Sequence, residues 1–269
     1  MEKTKVLFVS QEITPYLPES EMSLIGRYLP QGILEKGREI RAFMPRYGGV
    51  NERRNQLHEV IRLSGMNIII DDNDHPLIIK VASIQSARMQ VYFIDNEDFF
   101  QRKNLLASDE GEAFKDNDER AIFFARGVLE TVTKLRWAPD IVHCHGWITS
   151  LVPLFLKKSY REDPIFKNSK IITSVYDDLY HRDYDDHFNK KVRIGGVKDK
   201  DLVVMEKADS LNIAKLGLYY SDAVIYGSPQ IDPLLEDYII STKKPRLPYH
   251  TMDNYIDAYS DFYDKISPR

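Results

Sequence analysis

The sequence of 269 residues holds one cysteine, Cys144, so no disulfide can form within the chain, and a reducing, cytoplasmic setting is the expectation. It has no apolar run near the ~20 residues that a membrane span needs. The first such run, at 6–9, is too short for the apolar stretch of a signal peptide and passes straight into Ser-Gln-Glu. Neither sign of charge dominates, with 37 Lys and Arg against 41 Asp and Glu. That balance excludes the basic face of a nucleic-acid binder and the acidic run of a disordered tail. Glycine is scarce, at 13 residues. The scarcity counts against a phosphate-binding loop, which uses glycine where the backbone must approach its ligand.

What is present is globular, with 43% hydrophobic and 11% aromatic residues. Residues 5–10 (KVLFVS) form a β-rich apolar run that suits a strand buried on both faces. Residues 24–36 carry helical spacing and end at Gly37, and 39–45 read as a second strand. This is a βαβ unit, which must be parallel and right-handed. Residues 57–95 differ, with short strands expected at 57–65, 66–70, 77–84 and 89–94 and a polar turn at 71–76. They predict a hairpin insert. Helices at 117–136, 148–158, 214–220 and 231–239 then alternate with strands at 140–143, 170–175 and 223–226. The fold class is α/β: a single Rossmann-like, doubly wound, mostly parallel sheet with a β-hairpin insert. Ligands of such sheets bind beyond the carboxyl ends of the strands, here 10–23, 45–51, 143–147, 176–187 and 227–229.

Six segments taken together, KVLFVSQEITPYLP (5–18), PRYGGV (45–50), VYFIDNEDFFQR (91–102), NDERAIFFARGVLE (117–130), PDIVHCHGW (139–147) and KLGLYYSDAVIYGSP (215–229), resemble bacterial glycogen and starch synthases in order and spacing. The resemblance covers residues 4–240 and matches the amino-terminal half of these two-domain GT-B glycosyltransferases. It implies transfer of glucose from a nucleotide sugar to an α-1,4-glucan with retention, without a metal or other cofactor. It also implies that the acceptor side lies in this half and the donor side in a second domain with no counterpart here. The implied organisation is a domain at 1–240 with its hairpin insert at about 57–95, a linker at 241–251, and a Tyr-rich helix at 252–269 docking on the domain.

Departures from the family pattern fall at its polar site positions. Pro18 stands where the pattern has a lysine, and Glu19-Ser20-Glu21 replaces its glycine turn. A carboxylate there repels a diphosphate that an ammonium would attract. Gly146 replaces an aspartate in His143-Cys144-His145-Gly146-Trp147, and Tyr176 replaces a histidine in Val175-Tyr176-Asp177. No confident catalytic residue is left. The resemblance leaves Glu12, Tyr16, His143, His145, Trp147, Tyr176 and Asp177 as candidate substrate contacts. The expectation is a domain inactive alone, with a glucan-binding or regulatory role. Two alternatives stay open: a half-enzyme completed in trans by another chain or a second copy, and a non-enzymatic protein-interaction module. The partners considered are an α-1,4-glucan or maltooligosaccharide, a protein or a homodimer, with neither nucleic acid nor membrane.

Blander readings stand beside these. His143 and His145 are expected on opposite strand faces, and so not to chelate one metal. The acidic turn at 71–74 lacks the spaced ligands of a calcium loop. The run at 176–187, rich in Asp, His and Tyr, reads first as a mobile acidic loop and second as a ligand site. Cys144 reads as a packed small residue, and Gly195-Gly196 as a turn without phosphate.

Overall fold

The structure, a computed structural model, describes residues 3–184 and 187–267. Seven strands run parallel: β1 (Lys5–Ser10), β2 (Glu39–Pro45), β6 (Met89–Asp95), β7 (Ile141–His145), β8 (Lys170–Val175), β9 (Ala223–Tyr226) and β10 (Arg246–Leu247). The hairpin insert supplies β3 (His58–Glu59), β4 (Met66–Ile70) and β5 (Asn73–Ile84), and β5 pairs antiparallel with β6. The sheet order is β10-β9-β8-β7-β1-β2-β6-β5-β3, with β4 paired to β5. The central strands are buried along almost their whole length, as strands covered on both faces must be.

Helices α1 (Glu21–Glu35), α2 (Glu97–Phe100), α3 (Asn117–Leu135), α4 (Val152–Lys158), α5 (Phe188–Val192), α6 (Ser210–Tyr220), α7 (Pro233–Thr242) and α8 (Tyr255–Ile266) complete the chain. The β1-α1-β2 step moves outward on one side of β1. The α3 crossover then brings the chain back to β7 on the other side. Right-handed crossovers therefore put α1 on one face and α3, α4 and α6 on the opposite face. α8 packs beside α1. Gly32 permits the approach, because a Cβ there would come within 2.6 Å of the Ile256 side chain. Arg38 secures the contact by donating to the Ser260 carbonyl (3.0 Å) and to Asp264 (2.9 Å). The direction in which successive strands are added across the sheet reverses between β1 and β7, so the ligand crevice of this topology opens there.

Several elements differ from expectation. The strand expected at 57–65 is only β3, because the chain turns after Val60, whose carbonyl accepts from the Leu63 and Ser64 N–H groups. The turn expected at 71–76 contracts to Asp71 and Asp72, both at positive φ, and Asn73 to Pro76 extend β5. Lys190 reaches both turn carboxylates, at 2.7 and 2.8 Å. The helix expected at 148–158 is a tight turn at Trp147–Thr149 followed by α4. The helix expected to start at 24 begins at Glu21, because Ser20 caps it. Within the segment expected as a linker, β10 adds to the sheet beside β9. Tyr180 and Tyr184 of the run read as a mobile loop pack against Trp147, at 4.9 and 6.3 Å between ring centres, while residues 185 and 186 lie outside the described residues.

Candidate functional site

His143 and His145 share one face of β7, contrary to the opposite-face expectation, because residues two apart on a strand point the same way. Their ring centres lie 3.9 Å apart. Register continues this face across the sheet: Ser10 pairs with His145, and His145 with Ser174. Tyr176, two residues past Ser174, follows the same side. Its hydroxyl is hydrogen-bonded to His145 Nδ1 at 2.8 Å. His143 is held at both ring nitrogens, by Tyr263 of α8 (2.6 Å) and by Ser174 (2.8 Å). All of these side chains are buried; His143 and Tyr263 are 0% exposed and Tyr176 3%.

Burial decides their protonation. It lowers His145 to about 3 and holds His143 well below the usual imidazole range, with His145 adding to the effect. It also raises Tyr176 well above the usual phenol range. Neutral imidazoles among protonated phenols pack and hydrogen-bond, and neither the imidazoles nor the phenols are poised for proton transfer near neutral pH. Burial likewise raises Cys144, on the other face, so no thiolate is available.

The β1–β7 crevice itself is filled. Gly146 sits at φ +86°, and a Cβ there would lie 2.7 Å from Gln11 Cβ and 2.8 Å from Met22 Sδ. Space that a longer side chain would need is occupied by Gln11, whose amide oxygen accepts from the Ile148 N–H, and by Met22. The start of α1 is also occupied. A helix N-terminus offers free N–H groups and a positive dipole end to an anion. Here Ser20 and Ser23 cap each other, at 2.8 and 3.0 Å. Glu21 adds a carboxylate to the first turn and accepts from the Tyr249 hydroxyl at 2.7 Å. Glu12 is held by Ser20 at 2.6 Å.

The remaining candidates separate. Trp147 turns toward α6, donating from its indole to the Ser210 carbonyl (2.8 Å). Tyr16 is buried edge-on against Phe93, 4.8 Å between ring centres. Asp177 is exposed, and its backbone N–H reaches Ser228 at 3.3 Å. Asp178, not singled out from sequence, accepts from the Trp147 backbone N–H at 2.7 Å. Burial, opposed by that bond and aided by nearby Glu12, pushes it up to about 7. Met22, Glu21 and Tyr263 were also not singled out as site residues. Glu21 carried a sequence signal as a carboxylate at the position of the family's glycine turn, and Tyr263 as part of the Tyr-rich helix expected to dock on the domain. Among the described residues no cluster of three or more His, Cys, Asp or Glu is placed to hold a metal ion. No described helix is long and apolar enough to cross a membrane.

A sequence model of the starch synthase catalytic domain matches residues 5–233. The chain belongs to this family. This starch-synthase-type domain is 34% identical over 232 residues to a glycogen synthase of Chlorobaculum parvum, covering 84% of this chain and 46% of that protein. It is 40% identical over 173 residues to a glycogen synthase of Chlorobium luteolum, covering 64% and 35%. The domain thus spans about half or less of the length of these relatives. Its fold matches the catalytic domain of starch synthase IV from Arabidopsis thaliana, solved with ADP and acarbose, at a TM-score of 0.72 and 16% identity. That match covers 94% of this chain and 53% of that one.

Proposed function

We propose that this starch-synthase-type domain does not itself transfer glucose and serves as a glucan-binding or regulatory member of its family. The observation that carries this reading is the occupation of the β1–β7 crevice by the domain's own side chains. Tyr176 lies on His145, Met22 and Gln11 fill the space beside Gly146, and Ser20 with Glu21 takes up the start of α1. A diphosphate brought to that helix start meets the Glu21 carboxylate and the reciprocal capping of Ser20 and Ser23. The test is release of ADP from ADP-glucose in the presence of a maltooligosaccharide primer. The expected result is none above the rate without protein. Clear turnover by the purified chain overturns the reading.

A further inference from the structure

A second opening lies farther along the same rim of the sheet, where β9 and β10 end. Its volume is about 430 Å³, within the ~300–1,000 Å³ range of small-molecule sites. Tyr226 at the end of β9 and Tyr249 in the segment leading to α8 line it, together with Ser228, Glu236 of α7 and Arg246 of β10. The site is assembled from parts far apart in sequence, because β10 runs parallel beside β9 and the segment after it lies at the carboxyl end of both. Tyr249 is set in place by its hydroxyl on Glu21, and Ser228 approaches the same carboxylate at 3.3 Å. Tyr226 is half-buried, and both Glu236 and Arg246 lie near enough to act on its phenol. Among the described residues the side chains of Glu236 and Arg246 have no ion-pair or hydrogen-bond partner. This opening therefore keeps what the β1–β7 crevice has used up: aromatic surface and polar groups free to bond outward.

We propose that the opening lined by Tyr226, Glu236, Arg246 and Tyr249 binds a neutral pyranose sugar. The chemistry of the lining selects that class. The C–H face of a pyranose lies against a phenol ring, and adjacent ring hydroxyls match the two oxygens of a carboxylate or the fork of a guanidinium. A nucleotide or sugar phosphate fits worse, since Glu236 and the adjacent Glu21 outnumber Arg246 and repel an anion. The proposal deepens the glucan-binding reading, on which it rests, by placing the sugar away from the filled crevice.

The test is calorimetric titration of the full chain with maltotriose, repeated with ADP-glucose and with three variants. Maltotriose is expected to bind. Glu236→Gln, on the exposed side of α7, is expected to weaken it about tenfold by removing a charge-assisted hydrogen bond. Tyr226→Leu keeps the apolar contact at the strand end but removes the ring, and is expected to weaken binding by a similar factor. Met22→Leu, a volume-conserving change in the filled crevice, is expected to leave maltotriose affinity unchanged. Absence of maltotriose binding overturns the site. So does binding that survives Glu236→Gln and Tyr226→Leu but is changed by Met22→Leu. So does ADP-glucose binding more tightly than maltotriose through these same residues. Any of these leaves the no-transfer reading standing, whereas ADP release in the turnover assay overturns that reading and leaves the sugar site intact.

Discussion

Two stretches of one sheet rim face the same side of the domain and have opposite chemistry. Between β1 and β7, most polar side chains are turned onto another group of the same chain, Tyr176 onto His145, Tyr263 onto His143 and Ser20 onto Ser23, while Ser10 Oγ and His145 Nε2 are buried without a hydrogen-bond partner among the described residues. At the ends of β9 and β10, the side chains of Glu236 and Arg246 stand around an open cavity without a partner among the described residues. A side chain that has an internal partner strengthens the fold and binds nothing. One without a partner adds little to the fold and is free to bind. The difference makes the first region sensitive in stability and the second sensitive only in affinity.

The strongest test of that contrast is Tyr263→Ala. The ring is fully buried under α8, and its loss also strips His143 of a hydrogen bond. A cost of about 3–5 kcal/mol in chemical unfolding is expected. Tyr263→Phe keeps the packing and is expected to cost about 1–2 kcal/mol from the unpaired imidazole nitrogen. A cost well under that for the alanine variant means α8 does not hold the polar face closed, and the contrast collapses.

Next comes Gly146→Asp, which returns a carboxylate to the crevice. The positive φ and the approach to Gln11 and Met22 leave no room, so a loss of about 2–3 kcal/mol is expected. No ADP release is expected from the variant. If it proves as stable as the parent, the crevice is emptier than its packing implies.

Acidification probes the buried titratable groups. His143 and His145 are held neutral when folded, with pKa values below those of the unfolded chain. The unfolded state therefore binds more protons below about pH 6.5, and each histidine removes up to about 1.4 kcal/mol of stability per pH unit as pH falls. Asp178 works the other way. Its folded pKa is raised to about 7, so its contribution is unfavourable at neutral pH and recovers as pH falls from there toward the ordinary carboxylate range. Asp118, raised to about 6 by burial, works the same way as Asp178, so two carboxylates offset much of what two histidines lose and the parent profile is expected to change little between neutral and mildly acid pH. Asp178→Asn removes one offset and is expected to make stability fall on acidification. Denaturant midpoints measured from neutral to mildly acid pH check this, and a variant whose profile stays as flat as the parent's contradicts the buried neutral pair.

The fold was legible because its signals are local. Alternating apolar runs and amphipathic stretches placed the parallel strands, the insert and most helices, and six ordered segments pointed to the family. The crevice was legible only as substitutions at Pro18, Gly146 and Tyr176. What fills it was not, since Met22, Gln11 and Gly146 meet through packing, and Tyr263 lies 120 residues from its partner His143. The shared face of the two histidines was readable from strand geometry, and the opposite-face expectation misapplied a rule that spacing alone settles. The opening beside β9 was hidden for another reason: β10 is two residues long, too short to show a strand pattern.

The smallest effect is expected where the two regions meet. Glu21 closes the start of α1 on one side and holds Tyr249, a wall of the opening, on the other. Tyr249→Phe removes one half-exposed hydroxyl and keeps the ring. A stability loss of only about 0.5–1 kcal/mol is expected, because water can take the place of the lost hydroxyl at the Glu21 carboxylate. Maltotriose affinity is expected to fall modestly, about two- to threefold, since the ring survives but is no longer fixed in place before the sugar arrives. The ratio of the two effects is the informative quantity. A large stability loss with unchanged affinity makes the Tyr249–Glu21 bond part of the closed crevice alone. Lost affinity at nearly unchanged stability makes it a joint through which the closed region positions the open one.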